Sequence, residues 1–283
     1  MEAPGYALGA SLWGFYGRRA PAEWPTLPEA ARAILSLDSS LGLEVWASKS
    51  LDEEAVDPDE IAALADICRS APFVAAHARG AYWTWDPTAL RREIDFAEQV
   101  GATVLVLHPV CLGIERPEDR PDIPEIRRIA AYAAKRGVRL ALENMRDTIW
   151  LLDRMLEDVG DDPAATNLGI CIDVGHAHLS HDAGRHPVTN YLERYAAQLI
   201  HVHLHDNDGA SDEHLLPGTG SIDWPQALGT LARIDFRGIA MVEVHPPADL
   251  PAIDGIRDGV RFVRAAIEGE TREVVGPTDD PMI

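Results

Sequence analysis

The sequence is poor in lysine, and its charge is strongly one-sided. Only two of the 25 basic residues are lysines, Lys49 and Lys135, while 46 residues are acidic and the formal net charge is −21. Proteins that hold nucleic acid need a basic stripe, because binding to phosphates releases counterions. The arginines of this chain are scattered singly or in pairs. The composition therefore argues against a nucleic acid partner.

The sequence shows no pattern from which we would expect membrane insertion or export. It has no apolar run of about 18 residues, which is the length needed to span a bilayer. Its first five residues carry neither the basic start nor the apolar stretch of a signal peptide. The three cysteines, Cys68, Cys111 and Cys171, are an odd number without metal-ligand spacing, which argues against a disulfide framework. We expect a cytoplasmic protein with no membrane partner. The sequence is compatible with a monomer or a homo-oligomer.

Three histidines alternate with apolar residues in the segment 199–206, and this is the most informative pattern in the chain. Successive side chains of a β-strand point to opposite faces, so His201, His203 and His205 are predicted to share one face. Three buried imidazoles on one face are costly unless they coordinate something. The pattern therefore predicts a metal site.

Apolar runs typical of strands recur along the chain, and most of them end at a residue that could bind a metal. After an opening strand over 6–12, the predicted strands are Leu41–Glu44, Phe73–His77, Val104–His108, Leu140–Glu143, Leu168–Asp173, Ile200–His203 and Ile239–Glu243. Helical patterns with aspartate-proline starts and glycine stops lie between them. Eight such units predict a single (β/α)8 TIM barrel over residues 1–268, with a loosely ordered tail over 269–283. A doubly wound open sheet is the alternative.

The last four predicted strands end in a set of metal-binding residue types. Glu143, Asp173, His203 and Glu243 fall at the carboxyl ends of these strands, where barrel enzymes carry their chemistry. Three carboxylates and one imidazole suit a divalent ion, and the candidates are Mn²⁺, Zn²⁺, Co²⁺, Fe²⁺ and Mg²⁺. These strands offer no inward basic residue that would pair with the carboxylates. We predict one bound ion, and two or three bound ions are the alternative.

Short motifs from the third to the eighth predicted strand resemble those of the xylose isomerase-like barrels. That family includes sugar isomerases, sugar epimerases, inosose dehydratases and endonuclease IV. The motifs are His77, Leu107-His108-Pro109, Leu142-Glu143-Asn144, Ile172–His176, His203–Asp206, Asp212-Glu213-His214, Pro217–Trp224 and Val242-Glu243. The resemblance implies that Glu143, Asp173, His203 and Glu243 are the metal ligands that the family shares.

The resemblance divides over further ligands. The endonuclease IV branch binds three zinc ions, and all nine matching positions are present; those beyond the shared set are His77, His108, His176, Asp212 and His214. In the epimerase branch one metal suffices, and the position of His176 holds substrate. That branch also carries an arginine soon after the histidine of the seventh strand, whereas this chain has Gly209 six positions on. Family members of unassigned reaction carry the same nine residues, so the pattern leaves the reaction open.

Two features argue against DNA cleavage. Endonuclease IV inserts a bulky pair of side chains into DNA from the loop after its first histidine, where this chain has Gly80 and Ala81. The net charge of −21 also disfavours DNA. Hydrolysis of a small phosphodiester stays an alternative.

Tryptophans are concentrated in the predicted loops at the barrel mouth. Flat aromatic faces can cover the C–H face of a sugar, and ordinary packing is the alternative. The residues are Trp13, Trp46, Trp83, Trp85 and Trp224. Among them Trp13 and Trp46 are our candidates for substrate binding. Arg79 and Arg146 could hold a carboxylate or phosphate of the substrate.

These observations together predict a metal-dependent isomerase or epimerase of a small sugar, sugar phosphate or polyol. Glu143 and Glu243 are predicted to face each other across the barrel and to move a proton through an enediolate. His176 is predicted to hold a substrate hydroxyl. The alternatives are an endonuclease IV-like phosphodiester hydrolase with two or three metals and an inosose dehydratase-like lyase. A metal-binding protein without catalysis is a third hypothesis.

Overall fold

The chain folds into one closed barrel of parallel strands, which confirms the predicted (β/α)8 architecture and excludes the open sheet. The computed structural model describes residues 5–16, 20, 23–47, 57–78 and 85–268. The strands pair in chain order and are β1 (Ala7–Ser11), β2 (Gly42–Trp46), β3 (Val74–His77), β4 (Val104–Leu107), β5 (Arg139–Glu143), β6 (Leu168–Asp173), β7 (Leu199–Leu204) and β8 (Ile239–Val242). The predicted tail over 269–283 and the positions Arg79, Gly80, Ala81 and Trp83 lie outside the described residues.

Helices follow the strands and surround the barrel. They are α1 (Leu27–Leu37), α2 (Pro58–Cys68), α3 (Pro87–Gln99), α4 (Ile123–Ala134), α5 (Ile149–Val159), α6 (Pro163–Thr166), α7 (Val174–His178), α8 (Pro187–Arg194), α9 (Trp224–Arg233) and α10 (Ala252–Glu268). The aspartate-proline starts predicted from the sequence are confirmed. Asp57 caps α2 by accepting the backbone N–H of Asp59, and Asp86 caps α3 by accepting that of Thr88.

The side chains of each strand point alternately outward to the helices and inward to the barrel interior, so the core has an outer and an inner part. Outward side chains such as Leu105, Leu140 and Val202 are buried against the helices. Each such burial stabilises the fold by roughly 1.5–3 kcal/mol. The inner part combines the small apolar side chains of Ala75 and Ala141 with polar ones. The barrel interior therefore has room for the functional groups described below.

Most predicted strand ends agree with the structure, and β2 is the main exception. The prediction ended this strand at Glu44, but Val45 and Trp46 continue the ladder against Ala76 and His77 of β3. Parallel pairing with β3 extends the strand by Val45 and Trp46 beyond its predicted end. Glu44 therefore lies inside the strand, one inward position below the mouth.

Asp206 holds together the long loop between β7 and α9. Its buried carboxylate accepts hydrogen bonds from the backbone N–H of Gly218 at 2.9 Å and of Ile222 at 3.1 Å. It also accepts the indole N–H of Trp224 at 2.8 Å. Trp224, which we expected at the mouth, is therefore buried at the start of α9, where its ring also contacts Phe262. For Trp224 the structure supports ordinary packing, the alternative that the sequence left open, because its indole N–H has a buried acceptor.

In the described part of the chain, no helix combines the length and the apolar character that crossing a membrane would require.

Candidate active site

Four side chains from the last four strands meet at the barrel mouth. Nδ1 of His203 lies 3.1 Å from Oε1 of Glu143, 3.6 Å from Oδ2 of Asp173 and 3.3 Å from Oε2 of Glu243. All four side chains are buried. The structure thus brings together the residues that the sequence proposed as the central metal ligands. Their metal binding stays a prediction.

In the described part of the chain, the central carboxylates pair with imidazoles. Among the described residues, Glu143, Asp173 and Glu243 make their ion pairs with histidines and with no lysine or arginine. Three buried carboxylates so close together repel one another unless positive charge compensates them. The donor set of three carboxylates and one imidazole therefore fits a divalent metal ion.

The two glutamates at the centre differ in their electrostatic environment. Burial by itself raises the pKa of both carboxyl groups. For Glu143, the charges of His203 and His108 outweigh burial and hold the pKa well below its usual range. For Glu243, burial outweighs the neighbouring histidines, so the pKa is raised. The two carboxyl groups therefore have opposite pKa shifts within one site.

Two further histidines lie on the other oxygen of Glu143. Nε2 of His77 and Nε2 of His108 are each 3.1 Å from Oε2 of Glu143, whereas Oε1 of Glu143 faces His203. The ring of His77 stacks on that of Trp46 with the centroids 4.0 Å apart. Glu143 therefore links the central group to a first outer group formed by His77 and His108.

A second outer group lies on the opposite side, between the helix after β6 and the loop after β7. Oδ2 of Asp212 lies 3.1 Å from Nε2 of His176 and 3.4 Å from Nε2 of His214. His214 has a φ of 49°, in the left-handed region that non-glycine residues rarely adopt. Together with His205 they form one group that could hold a metal ion, and their metal binding stays a prediction.

His205 joins this second outer group to the centre, although we gave it no individual role from the sequence. Its Nε2 lies 2.9 Å from the carboxylate of Asp173, and its ring stacks on His214 with centroids 3.9 Å apart. A Cβ at Gly175 would lie 2.0 Å from Cε1 of His205, so only glycine permits this approach of α7. The alternation of histidines in β7 was the signal for His205.

Glu44 is a functional candidate that the sequence marked as a strand end but left without a role. It is fully buried, and its Oε2 lies 3.1 Å from Nε2 of His203 and 3.0 Å from Nε2 of His201. The apolar neighbours Leu43 and Val45 face outward, which is the only sequence signal that Glu44 points into the barrel. Its partners on β7 could not be read from the sequence.

The predicted substrate-binding residues at the mouth have different surroundings. The ring of Trp13 stacks on that of Trp46 at 4.7 Å, and Trp46 itself is buried, whereas Trp13 is only partly so. Arg146 is half-exposed, and its Nη2 lies 2.7 Å from Nε2 of His181. Trp85 packs its side chain near Gly113. Contact of Trp13, Trp46 or Arg146 with a substrate stays a prediction.

Comparison with known proteins identifies the family of this chain. A profile of the xylose isomerase-like TIM barrel family matches residues 28–266. An uncharacterized protein of Methanocaldococcus jannaschii is 29% identical over 163 residues, which cover 54% of this chain and 55% of the relative. The chain therefore spans about half the length of the curated relatives it matches.

Two solved structures share the fold across almost the whole chain. The structure of an L-ribulose 3-epimerase has a TM-score of 0.68 and 17% identity, covering 98% of this chain and 100% of that one. A Thermus thermophilus protein, soaked with ZnCl₂, has a TM-score of 0.64 and 22% identity, covering 94% and 100%. At these identities the similarity concerns the fold.

Proposed function

The chain belongs to the xylose isomerase-like TIM barrel family, and on that premise we propose a metal-dependent isomerase or epimerase of a small sugar, sugar phosphate or polyol. The observation that carries the proposal is the meeting of the Glu143, Asp173 and Glu243 carboxylates at Nδ1 of His203. The shared fold with an L-ribulose 3-epimerase supports this reaction class. The acidic surface, which suits no nucleic acid, agrees with a small substrate.

Glu143, Asp173, His203 and Glu243 are the residues that would hold the divalent ion. When bound, such an ion supplies a positive charge that polarises a substrate carbonyl and makes the neighbouring C–H more acidic. The zinc-soaked Thermus protein of the same fold supports a metal in this kind of barrel. The donor set suits Mn²⁺, Zn²⁺, Co²⁺, Fe²⁺ and Mg²⁺.

Glu143 and Glu243 are the proposed acid and base. They reach the same imidazole nitrogen from β5 and from the end of β8, which supports a joint action of the two carboxyl groups on one substrate. One glutamate removes the proton from the carbon next to the carbonyl, and the other returns a proton. Return to the opposite face of the same carbon gives an epimer. Return to the former carbonyl carbon gives an isomer, provided that the hydroxyl proton also moves to the former carbonyl oxygen. His176 would hold a substrate hydroxyl at the edge of the site.

The test is solvent deuterium incorporation in a panel of ketopentoses, ketohexoses and their phosphates. The protein loaded with Mn²⁺ in D₂O should place deuterium on the carbon next to the carbonyl of the product. Glu243→Gln should stop this exchange while retaining most of the metal, because an amide oxygen still coordinates but accepts no proton. Glu157→Gln, on the exposed side of α5, is the matched control. Turnover without solvent deuterium would overturn the two-glutamate mechanism.

A second candidate function is a phosphodiester hydrolase with two or three metals. The observation that favours it is the arrangement of the outer groups, with two histidines on Oε2 of Glu143 and two on Oδ2 of Asp212. Neither the binding of a single ion nor the proton transfer of an isomerase needs His77, His108 or His214. Adjacent metals would supply a hydroxide nucleophile and stabilise the leaving oxygen. The number of metals per chain separates the two functions.

A further inference from the structure

A second polar layer lies inside the barrel, one inward position below the central carboxylates. It contains Glu44 of β2 and His201 of β7, and both side chains are fully buried. His201 precedes His203 by two residues on the same face of β7. The neighbouring inward positions carry Ala75 and Ala141, whose small side chains leave space for the larger polar ones. This layer has no part in the acid and base chemistry proposed above.

The two nitrogens of His203 face different carboxylates. Nδ1 faces Glu143, Asp173 and Glu243, whereas Nε2 forms a hydrogen bond of 3.1 Å with Oε2 of Glu44. Glu44 therefore meets His203 at the nitrogen that does not face Glu143 and Asp173, while its carboxylate lies within 4.8 Å of Glu243. A histidine that binds a metal through one nitrogen typically donates the N–H of the other to a carboxylate or carbonyl, which fixes its tautomer and orientation.

His201, on the same strand as His203, lies beside Glu44. Nε2 of His201 lies 3.0 Å from the same oxygen of Glu44, without the alignment of a hydrogen bond. Within the described residues, Oε1 of Glu44 and Nδ1 of His201 have no hydrogen-bond partner. Buried polar groups that are only partly satisfied are poor stabilisers of a fold, and apolar residues of similar volume often replace buried ion pairs without loss of stability. The pair therefore calls for an explanation other than stability.

We propose that Glu44 is a positioning residue that accepts the Nε2–H of His203 and so keeps the Nδ1 lone pair of His203 directed at the central carboxylates. His201 limits the movement of the Glu44 carboxylate. The inference rests on the proposed metal site, of which it names a further determinant. It predicts that Glu44 controls metal affinity without touching the metal or the substrate.

The first experiment measures the Zn²⁺ dissociation constant by competition with a chromophoric chelator. The central site is identified as the equivalent of Zn²⁺ that Asp173→Ala loses. Glu44→Gln keeps the size of the side chain but removes its charge, and we expect it to weaken Zn²⁺ binding at this site about 10- to 100-fold. Glu93→Gln changes a buried glutamate of α3, outside the barrel, and should stay within about twofold of the wild type.

The outcomes separate this inference from the proposed function. If the wild type binds no Zn²⁺ at all, the proposed function fails and the inference fails with it. If the wild type binds Zn²⁺ and Glu44→Gln binds it equally well, the inference alone is overturned. An equal loss in Glu93→Gln would also overturn it, because the effect would then follow from any buried glutamate.

A second measurement holds even if Glu44→Gln does not fold. In Zn²⁺-loaded wild-type protein labelled with ¹⁵N, the proposal requires a proton on Nε2 of His203 and none on Nδ1. Long-range ¹H–¹⁵N correlation spectra of the imidazole distinguish these two nitrogens. A proton on Nε2 that exchanges slowly with solvent supports the proposal, and its absence overturns it.

Discussion

Nε2 of His176 and Oδ2 of Asp212 lie 3.1 Å apart and join the helix after β6 to the loop after β7. In a single-ion enzyme this contact would orient His176, which we propose to hold a substrate hydroxyl. In a multi-metal enzyme the same two atoms would be ligands of one ion. The contact therefore lies where the two candidate functions differ.

The first prediction concerns the number of metals. For the isomerase or epimerase we expect about one equivalent of metal per chain by elemental analysis, unchanged in His108→Ala and His214→Ala. Both variants should raise KM about tenfold or more. Each is expected to lose a hydrogen bond to the substrate that is worth about 1–3 kcal/mol.

His186→Ala, an exposed histidine at the start of α8, serves as the control for that comparison. About three equivalents in the wild type, with one lost in each of the two mouth variants, would contradict the single-ion hypothesis. Phosphodiesterase activity that disappears in the same variants would then establish the hydrolase in its place.

The second prediction concerns Asp173. Its carboxylate contacts Nε2 of His205 and accepts the backbone N–H of His176, besides lying 3.6 Å from Nδ1 of His203. Asp173→Ala should reduce metal affinity at least about 100-fold and abolish turnover, since the remaining ligands hold a divalent ion poorly. Asp161→Ala, in the exposed turn before α6, should change neither quantity. Full metal content and activity in Asp173→Ala would mean that the metal binds elsewhere.

The third prediction concerns the pH dependence of the metal-free protein. Burial lowers the pKa of His214, but its hydrogen bond with Asp212 and the charges of Glu243 and Asp212 outweigh burial and raise the pKa to about 9. The ordinary value is 6.5. Protonated His214 therefore stabilises the fold fully below about pH 6.5, and this stabilisation is lost as the pH rises through about 9.

The measurement compares the free energy of unfolding of metal-free wild type and His214→Gln between pH 6 and pH 9.5. The advantage of the wild type should shrink by up to about 3 kcal/mol over this range, since one pKa unit corresponds to about 1.4 kcal/mol. A difference between the two proteins that does not vary with pH would show that His214 carries no such charge.

Local patterns were sufficient to predict the barrel and its central group. Each strand alternates or is continuously apolar, and a parallel barrel brings all strand ends to one mouth. Glu143, Asp173 and His203 could therefore be grouped from their positions in β5, β6 and β7 without knowledge of any contact. The structure confirms the barrel and the proximity of these residues.

Contacts between elements that are distant in sequence could not be predicted. Glu44 and His203 are 159 positions apart, and their hydrogen bond depends on closure of the barrel and on the register of β2. Trp224 was expected at the mouth because it follows β7, but its indole N–H reaches Asp206 through the path of a long loop. The hydrogen-bond partners of Glu44 and Trp224 do not follow from the apolar pattern of the sequence.

The last prediction concerns Asp206, whose carboxylate lies at the base of the loop that carries Asp212 and His214. It accepts the N–H groups of Gly218, Ile222 and Trp224 in a buried site. Asp206→Ala leaves these donors without an acceptor, and we expect the free energy of unfolding to fall by about 3–5 kcal/mol. Thermal unfolding of the metal-free protein should then occur roughly 10 °C lower.

The control is Asp208→Ala, which changes an exposed aspartate of the same loop and should lower the free energy of unfolding by less than about 1 kcal/mol. Equal stability of the two variants would show that solvent or other groups satisfy the donors, and that Asp206 does not hold the loop in place.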